Sequence, residues 1–179
     1  MGELDKYHRR RGANYSRGHA RMYKAACRLL ENARKLSILD VGSGMGYGYR
    51  WLQRYKALRG GSYTGIESDI DCVRWCQDRY PKAIWKAKDW PIPNYHEVHD
   101  YTFCIEVLEH VTSDPHAFLQ ELGRVSKKGI FLSTPNKETS FHGIYTPKEV
   151  LEMLSHVGLK QAAYVEQQWT TWFLITPPS

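Results

Sequence analysis

A glycine-rich turn directly after an apolar run is the feature that most constrains this chain. Lys35-Leu36-Ser37-Ile38-Leu39 leads into Asp40-Val41-Gly42-Ser43-Gly44-Met45-Gly46, a short buried strand broken by glycines. Glycines at a strand end let the backbone turn sharply and approach a ligand closely at the mouth of a sheet. The chain around this turn must supply the rest of that sheet.

The pattern does so by alternation. Residues 17–31 place Ala20, Tyr23, Cys27 and Leu30 on one face of an amphipathic helix, and residues 47–58 read as a second helix. Ser62–Glu67 is a strand, and a helix over 69–79 puts Ile70, Val73 and Cys76 inward. Residues 83–88 form a weaker strand, closed by a loop at Pro91 and Pro93. His99–Ile105 is the fourth strand, Asp114-Pro115 starts a helix in N-cap and N1 order, and residues 129–133 are the fifth strand. Thr146-Pro147-Lys148-Glu149 is a capping box for a last helix that Gly158 stops. Residues 161–166 and 170–175 are two strands with too short a connection for a crossover helix, so they are antiparallel. The expected fold is α/β: a doubly wound, Rossmann-like seven-stranded sheet, mostly parallel, with a C-terminal antiparallel hairpin and helices on both faces.

Length sets one domain of this kind. A chain of 179 residues buries roughly 70% of its unfolded surface, and 42% hydrophobic with 25% charged residues excludes disordered and fibrous classes. No apolar run is long enough to span a bilayer, and no secretory signal opens the sequence. Cys27, Cys72, Cys76 and Cys104 form no CxxC pair, which suits free thiols and a cytoplasmic protein. Cys72 and Cys76 share a helix face, but two thiols alone make a poor metal site. Charge is uneven: residues 1–35 hold ten Lys and Arg against three acids, and the remainder fifteen against sixteen. The division expected is therefore a basic N-terminal arm and helix over 1–35, able to act as a lid, and a catalytic domain over 36–179. Such an arm can hold an anionic partner such as nucleic acid, or serve as a solvated face.

The glycine spacing narrows the ligand. Counting G-x-G-x-x-G from Gly42 and Gly44 places Tyr47 at the third glycine, so the dinucleotide fingerprint fails, and no GK[ST] forms a P-loop. An acid ahead of the first glycine repels pyrophosphate and suits a ligand carrying positive charge. Glu67, ending the second strand, stands where a carboxylate accepts both hydroxyls of an adenosine ribose.

LDVGSGMGYGYRWL, YTGIESD, the acid in KAKDW and IEVLEHV resemble the successive signature segments of class I S-adenosylmethionine-dependent methyltransferases, over about residues 36–160. The resemblance implies S-adenosyl-L-methionine as cofactor. It implies Gly42 and Gly44 along its methionine part and Asp40 orienting the loop and the amino group. Glu67 would hold the ribose and Asp89 meet the adenine amine, with Trp90 or Ile70 packed on the ring, and Ser68 and Glu106 would also bind the cofactor.

The acceptor side follows the fourth strand. Glu106-Val107-Leu108-Glu109-His110 holds two carboxylates and an imidazole within five residues, enough for a base with its orienting acids or for three ligands of a divalent metal. His110 and Glu106 are the expected catalytic residues. The E-x-x-E-H string, Ser133-Thr134-Pro135-Asn136 and His142 are similar to two metal-using groups, the ubiquinone-biosynthesis O-methyltransferases and the small-RNA 2′-O-methyltransferases. That similarity implies Glu106, Glu109, His110 and His142 as candidate metal ligands. The stretch after STPN is shorter than in the RNA enzymes, and many plain small-molecule methyltransferases carry EVLEHV without a metal. His96, His99, His116 and His156 are expected at the surface. The reading is methylation of an oxygen on a small or medium acceptor, with RNA methylation or a non-catalytic cofactor-binding subunit as rivals. Acceptor identity and oligomeric state are open.

Overall fold

Strand and helix alternate along the chain as the periodicity predicts. A computed structural model describes residues 12–31, 33–135, 145–166 and 170–176. The elements are α1 (Gly12–Leu29), β1 (Ser37–Val41), α2 (Tyr47–Arg54), β2 (Ser62–Glu67), α3 (Ile70–Arg79), β3 (Ile84–Ala87) and β4 (His99–Ile105). A 3-10 turn (Leu108–His110) follows, then α4 (Pro115–Arg124), β5 (Ser126–Pro135), α5 (Pro147–His156), β6 (Lys160–Glu166) and β7 (Thr170–Thr176). Seven strands form one sheet in the order β3-β2-β1-β4-β5-β7-β6. β3 through β5 pair in parallel, and β7 runs antiparallel between β5 and β6. The strand order reverses between β1 and β4, and the chains leaving their carboxyl ends diverge there to open a crevice.

The pleat sorts the core. Ile38, Tyr63, Phe103 and Phe131 face one way, beneath α1, α2 and α3. Leu39, Val41, Ile66, Cys104, Ile130 and Leu132 face the other, beneath α4 and α5. Both faces are covered, which is why the strands read as continuous apolar runs. Tyr23 and Cys27 of α1, and Leu30 just after it, lie in the same core cluster as Ile38 of β1.

The caps form as the sequence predicts. Asp114 accepts the amides of His116 and Ala117, and Thr146 and Glu149 make both bonds of the capping box. Other details differ. α2 stops at Arg54, and the chain then turns through Lys56, whose φ of 59° is left-handed. β5 begins at Ser126 rather than 129, its exposed Lys127 and Lys128 having hidden the strand; Thr102 Oγ1 and Ser126 Oγ anchor it at 2.6 Å. Ile70 is 46% exposed instead of inward. His99, expected at the surface, is buried because its Nε2 lies 2.8 Å from the Tyr95 hydroxyl and its ring stacks on that of Tyr95. Asn136, His142 and arm residues 1–11 lie outside the described residues. No helix among the described residues is long and apolar enough to cross a membrane.

Leu122 has no exposed surface and packs among Leu119, Val125 and Leu154. Leu122→Ala removes about 2–5 kcal/mol of stability by transfer and cavity terms, read from the urea midpoint.

Candidate active site

The glycine turn is pinned at the crevice. Gly42 and Ser43 both donate to the Ile66 carbonyl, at 2.9 and 3.0 Å, tying the turn to β2. Gly42 and Gly44 have φ of 70° and 49°. A Cβ on Gly42 would collide with the Val107 side chain, so glycine here is what lets the turn touch the segment after β4. A Cβ on Gly44 would meet nothing within 4 Å, which leaves that stretch of main chain open to a ligand. Glu67 closes one side. Its carboxylate accepts the amide of Gly44 at 2.9 Å, the amide of Asp69 at 3.0 Å and the Ser68 hydroxyl at 3.3 Å. Gly42, Gly44, Glu67 and Ser68 therefore come together as the sequence suggests, and a carboxylate has lone pairs left for further hydroxyls.

Asp89 is exposed on the loop after β3. Trp90 differs from the ring-stacking expectation. Its indole packs edge-on against Tyr95, 5.4 Å between centroids, and against the main core. Ile70, three residues after Glu67 at the start of α3, is an exposed apolar side chain.

Asp40 is a correction. It has no exposed surface, so it cannot present an oxygen to a ligand's amino group. Period two points it beneath α1 and α2, where Tyr23 donates to Oδ1 at 2.8 Å and Tyr63 donates to Oδ2. It lies so close under Gly48 that any side chain there would strike it. Burial raises its pKa to about 7 against the lowering effect of the two tyrosine bonds. Asp40 thus supports the loop from below. Tyr23 belongs to this network and to the core.

Beyond Val107 the chain arranges the acid-histidine segment. Glu106 has a φ of 56°, left-handed for a residue with a side chain. Its amide bonds the Ser133 carbonyl at 3.1 Å, and its Oε1 accepts the Ser133 hydroxyl at 3.0 Å. Burial pushes its carboxyl up to about 7, partly offset by the Ser133 bond. Glu109 is buried on the 3-10 turn; burial, and then the neighbouring Glu106 charge, push it up to about 8. Its Oε2 and the Thr134 hydroxyl are buried polar atoms, and a Thr134 bond offsets part of that rise. His110 is exposed on the same turn, its Nε2 3.9 Å from Glu109 Oε1. Glu106 turns to Ser133 while His110 points outward, and no group of three His, Cys, Asp or Glu among the described residues is placed to hold a metal ion. The metal set expected from Glu106, Glu109 and His110 does not assemble, and His142 lies outside the described residues. Ser133, which sequence reading gave no role, is the residue that fixes Glu106; its place at the end of β5 beside β4 was the available signal.

A parallel sheet in this order, an antiparallel β7 and a glycine turn at the β1–β4 crevice define the class I, Rossmann-like methyltransferase fold. Solved structures share it. Magnesium protoporphyrin IX methyltransferase of Synechocystis, with bound S-adenosylmethionine, is 16% identical and superposes with a TM-score of 0.72 over 90% of this chain and 80% of that one. A S-adenosylmethionine-dependent methyltransferase of Aquifex aeolicus is 19% identical, TM-score 0.70, over 87% and 89%. A TehB-like S-adenosylmethionine-dependent methyltransferase of Corynebacterium glutamicum is 17% identical, TM-score 0.71, over 87% and 88%. Comparison with curated protein sequences returns no match. The family model described as a methyltransferase domain matches residues 39–133, more than half of the chain. The protein belongs to that family. It is a S-adenosylmethionine-dependent methyltransferase, and S-adenosylmethionine is its cofactor.

The raised carboxyls predict how stability depends on pH. Asp40, Glu106 and Glu109 have folded pKa values above their unfolded ones. The folded protein therefore keeps protons that the unfolded chain releases, and stability falls as pH rises from about 4.5 to about 8. Asp40→Asn removes one of these groups, so its melting midpoint falls less over that interval than the wild type's, as differential scanning fluorimetry across pH reads directly.

Proposed function

We propose that this methyltransferase acts on an oxygen of a small or medium acceptor, with Glu106 as the base that takes the hydroxyl proton. The observation that carries this reading is a half-buried carboxylate at the carboxyl end of β4, held by Ser133 one residue before the Val107 side chain that meets Gly42. The glycine turn and the base are thereby held against one another. When bound, S-adenosylmethionine supplies a methyl group on a positively charged sulfonium.

The residues divide the task. The open main chain at Gly42 and Gly44 takes the methionine part, and Glu67 with Ser68 takes the ribose hydroxyls. Ile70 packs on the adenine ring and Asp89 accepts its amine, while Trp90 backs the loop through Tyr95. Ser133 holds Glu106 Oε1, leaving the other oxygen for the acceptor. Glu106 and Glu109 are neighbouring carboxyls that resist ionising together. Burial raises both, and the Glu106 charge raises Glu109 further. A base with a pKa near the working pH is most effective. His110, at the exposed rim, aligns the acceptor.

Two measurements test this. Glu67→Ala weakens S-adenosylmethionine binding by about 1.5–3 kcal/mol in calorimetry, the range for hydrogen bonds to a charged group. Glu106→Gln lowers turnover by about a hundredfold or more with cofactor affinity nearly intact. In the wild type, kcat/KM rises with pH through about 7 as Glu106 ionises. Full turnover in Glu106→Gln removes the base assignment; tight cofactor binding without turnover on any hydroxyl acceptor returns the non-catalytic subunit.

A further inference from the structure

Away from the methyl-transfer site, charge is gathered on one face. Between Arg21 and Gly61 the chain carries nine Lys and Arg against two acids, and one of those, Asp40, is buried. Arg50 and Arg54, four residues apart, share the outer surface of α2. On one flank of that surface lies the Trp51 ring. The Lys24 ammonium of α1 is 5.7 Å and the Arg54 guanidinium 5.3 Å from its centroid, and Tyr55 stacks on it at 5.9 Å and 24°. On the other flank is a cavity of about 380 Å³, with Lys56, Arg59 and Lys82 at its edge and Tyr49, Gln53 and Leu58 as walls; no acid lines it among the described residues. The cavity opens beside the amino end of β2, at the opposite end of the sheet from Glu67.

None of Lys24, Arg50, Arg54, Lys56, Arg59 and Lys82 has an ion-pair partner among the described residues. Unpaired like charges on one face repel each other, a cost that an anionic partner relieves. Cations interleaved with stacked aromatic rings match a backbone of phosphates carrying flat bases. An anionic membrane would call for a continuous apolar rim, whereas the large exposed aliphatic side chains, Leu29 of α1 among them, are scattered singly over different elements.

We infer that the α1–α2 face binds single-stranded nucleic acid, with the Trp51–Tyr55 stack as its aromatic contact and the cavity bounded by Lys56, Arg59 and Lys82 as a phosphate seat. This binding is independent of which oxygen is methylated.

The test is fluorescence anisotropy with an end-labelled single-stranded RNA of about 12 nucleotides, titrated from about 50 to 200 mM salt. The combined variant K56E/R59E/K82E binds at least about tenfold more weakly, and its slope of log affinity against log salt flattens by about 2, at roughly 0.7 per phosphate contact on a single strand. Trp51→Ala weakens binding about tenfold with the slope retained, since stacking is not ionic. A control, K148E/K160E on α5 and β6, binds like the wild type. All variants are first shown to bind S-adenosylmethionine normally, which certifies the fold separately from the methyl-transfer reading. Three results would overturn the inference: unchanged RNA affinity in the triple variant, an equal loss in the control, or wild type that binds phosphatidylserine vesicles and no RNA.

Discussion

The buried carboxylate of Asp40 joins more of this molecule than any other single group. It stands on β1, accepts one hydroxyl from α1 through Tyr23 and one from β2 through Tyr63, and underlies the start of α2 at Gly48. Four elements therefore meet at one polar point inside an otherwise apolar layer. A buried acid without partners is strongly destabilising, while a fully bonded one specifies a single arrangement of its neighbours. The glycine turn begins two residues later, so its position at the crevice is inherited from this bond set.

The segment after β4 is built on a different compromise. Glu106 holds a left-handed backbone, which for a residue with a side chain costs of order 1–3 kcal/mol and persists only where the surroundings enforce it. Three bonds to Ser133 and the contact of Val107 with the first glycine of the turn do the enforcing. Strain and burial thus fall on the same side chain. Both are reasons to assign it chemistry rather than structure.

Much of this was legible before any coordinates. The strands show as apolar runs because helices cover both faces of the sheet, and the helix starts at Asp114 and Thr146 carry side-chain bonds that depend on local sequence alone. The glycine turn and Glu67 were readable from their positions at strand ends. What failed was long-range. In a strand covered on both sides nothing local says which way Asp40 points, and its partner Tyr23 lies on another element. His99 read as a surface residue because its partner Tyr95 sits in an irregular segment without periodicity. The basic face was hidden by counting charge along the chain, since Lys82 joins Lys56 and Arg59 only across the base of the sheet.

The place of β7 has a consequence for how the chain is made. It is the last strand in sequence order yet lies inside the sheet, hydrogen-bonded to β5 on one side and to β6 on the other. Until Thr170–Thr176 arrives, β5 presents a naked edge and β6 has no neighbour at all. Unpaired edges of that kind recruit other chains. On the ribosome, the parallel half around β1 and β4 is complete well before this edge is closed, so a pause in translation ahead of Thr170 exposes the hydrophobic centre of the sheet, not its rim.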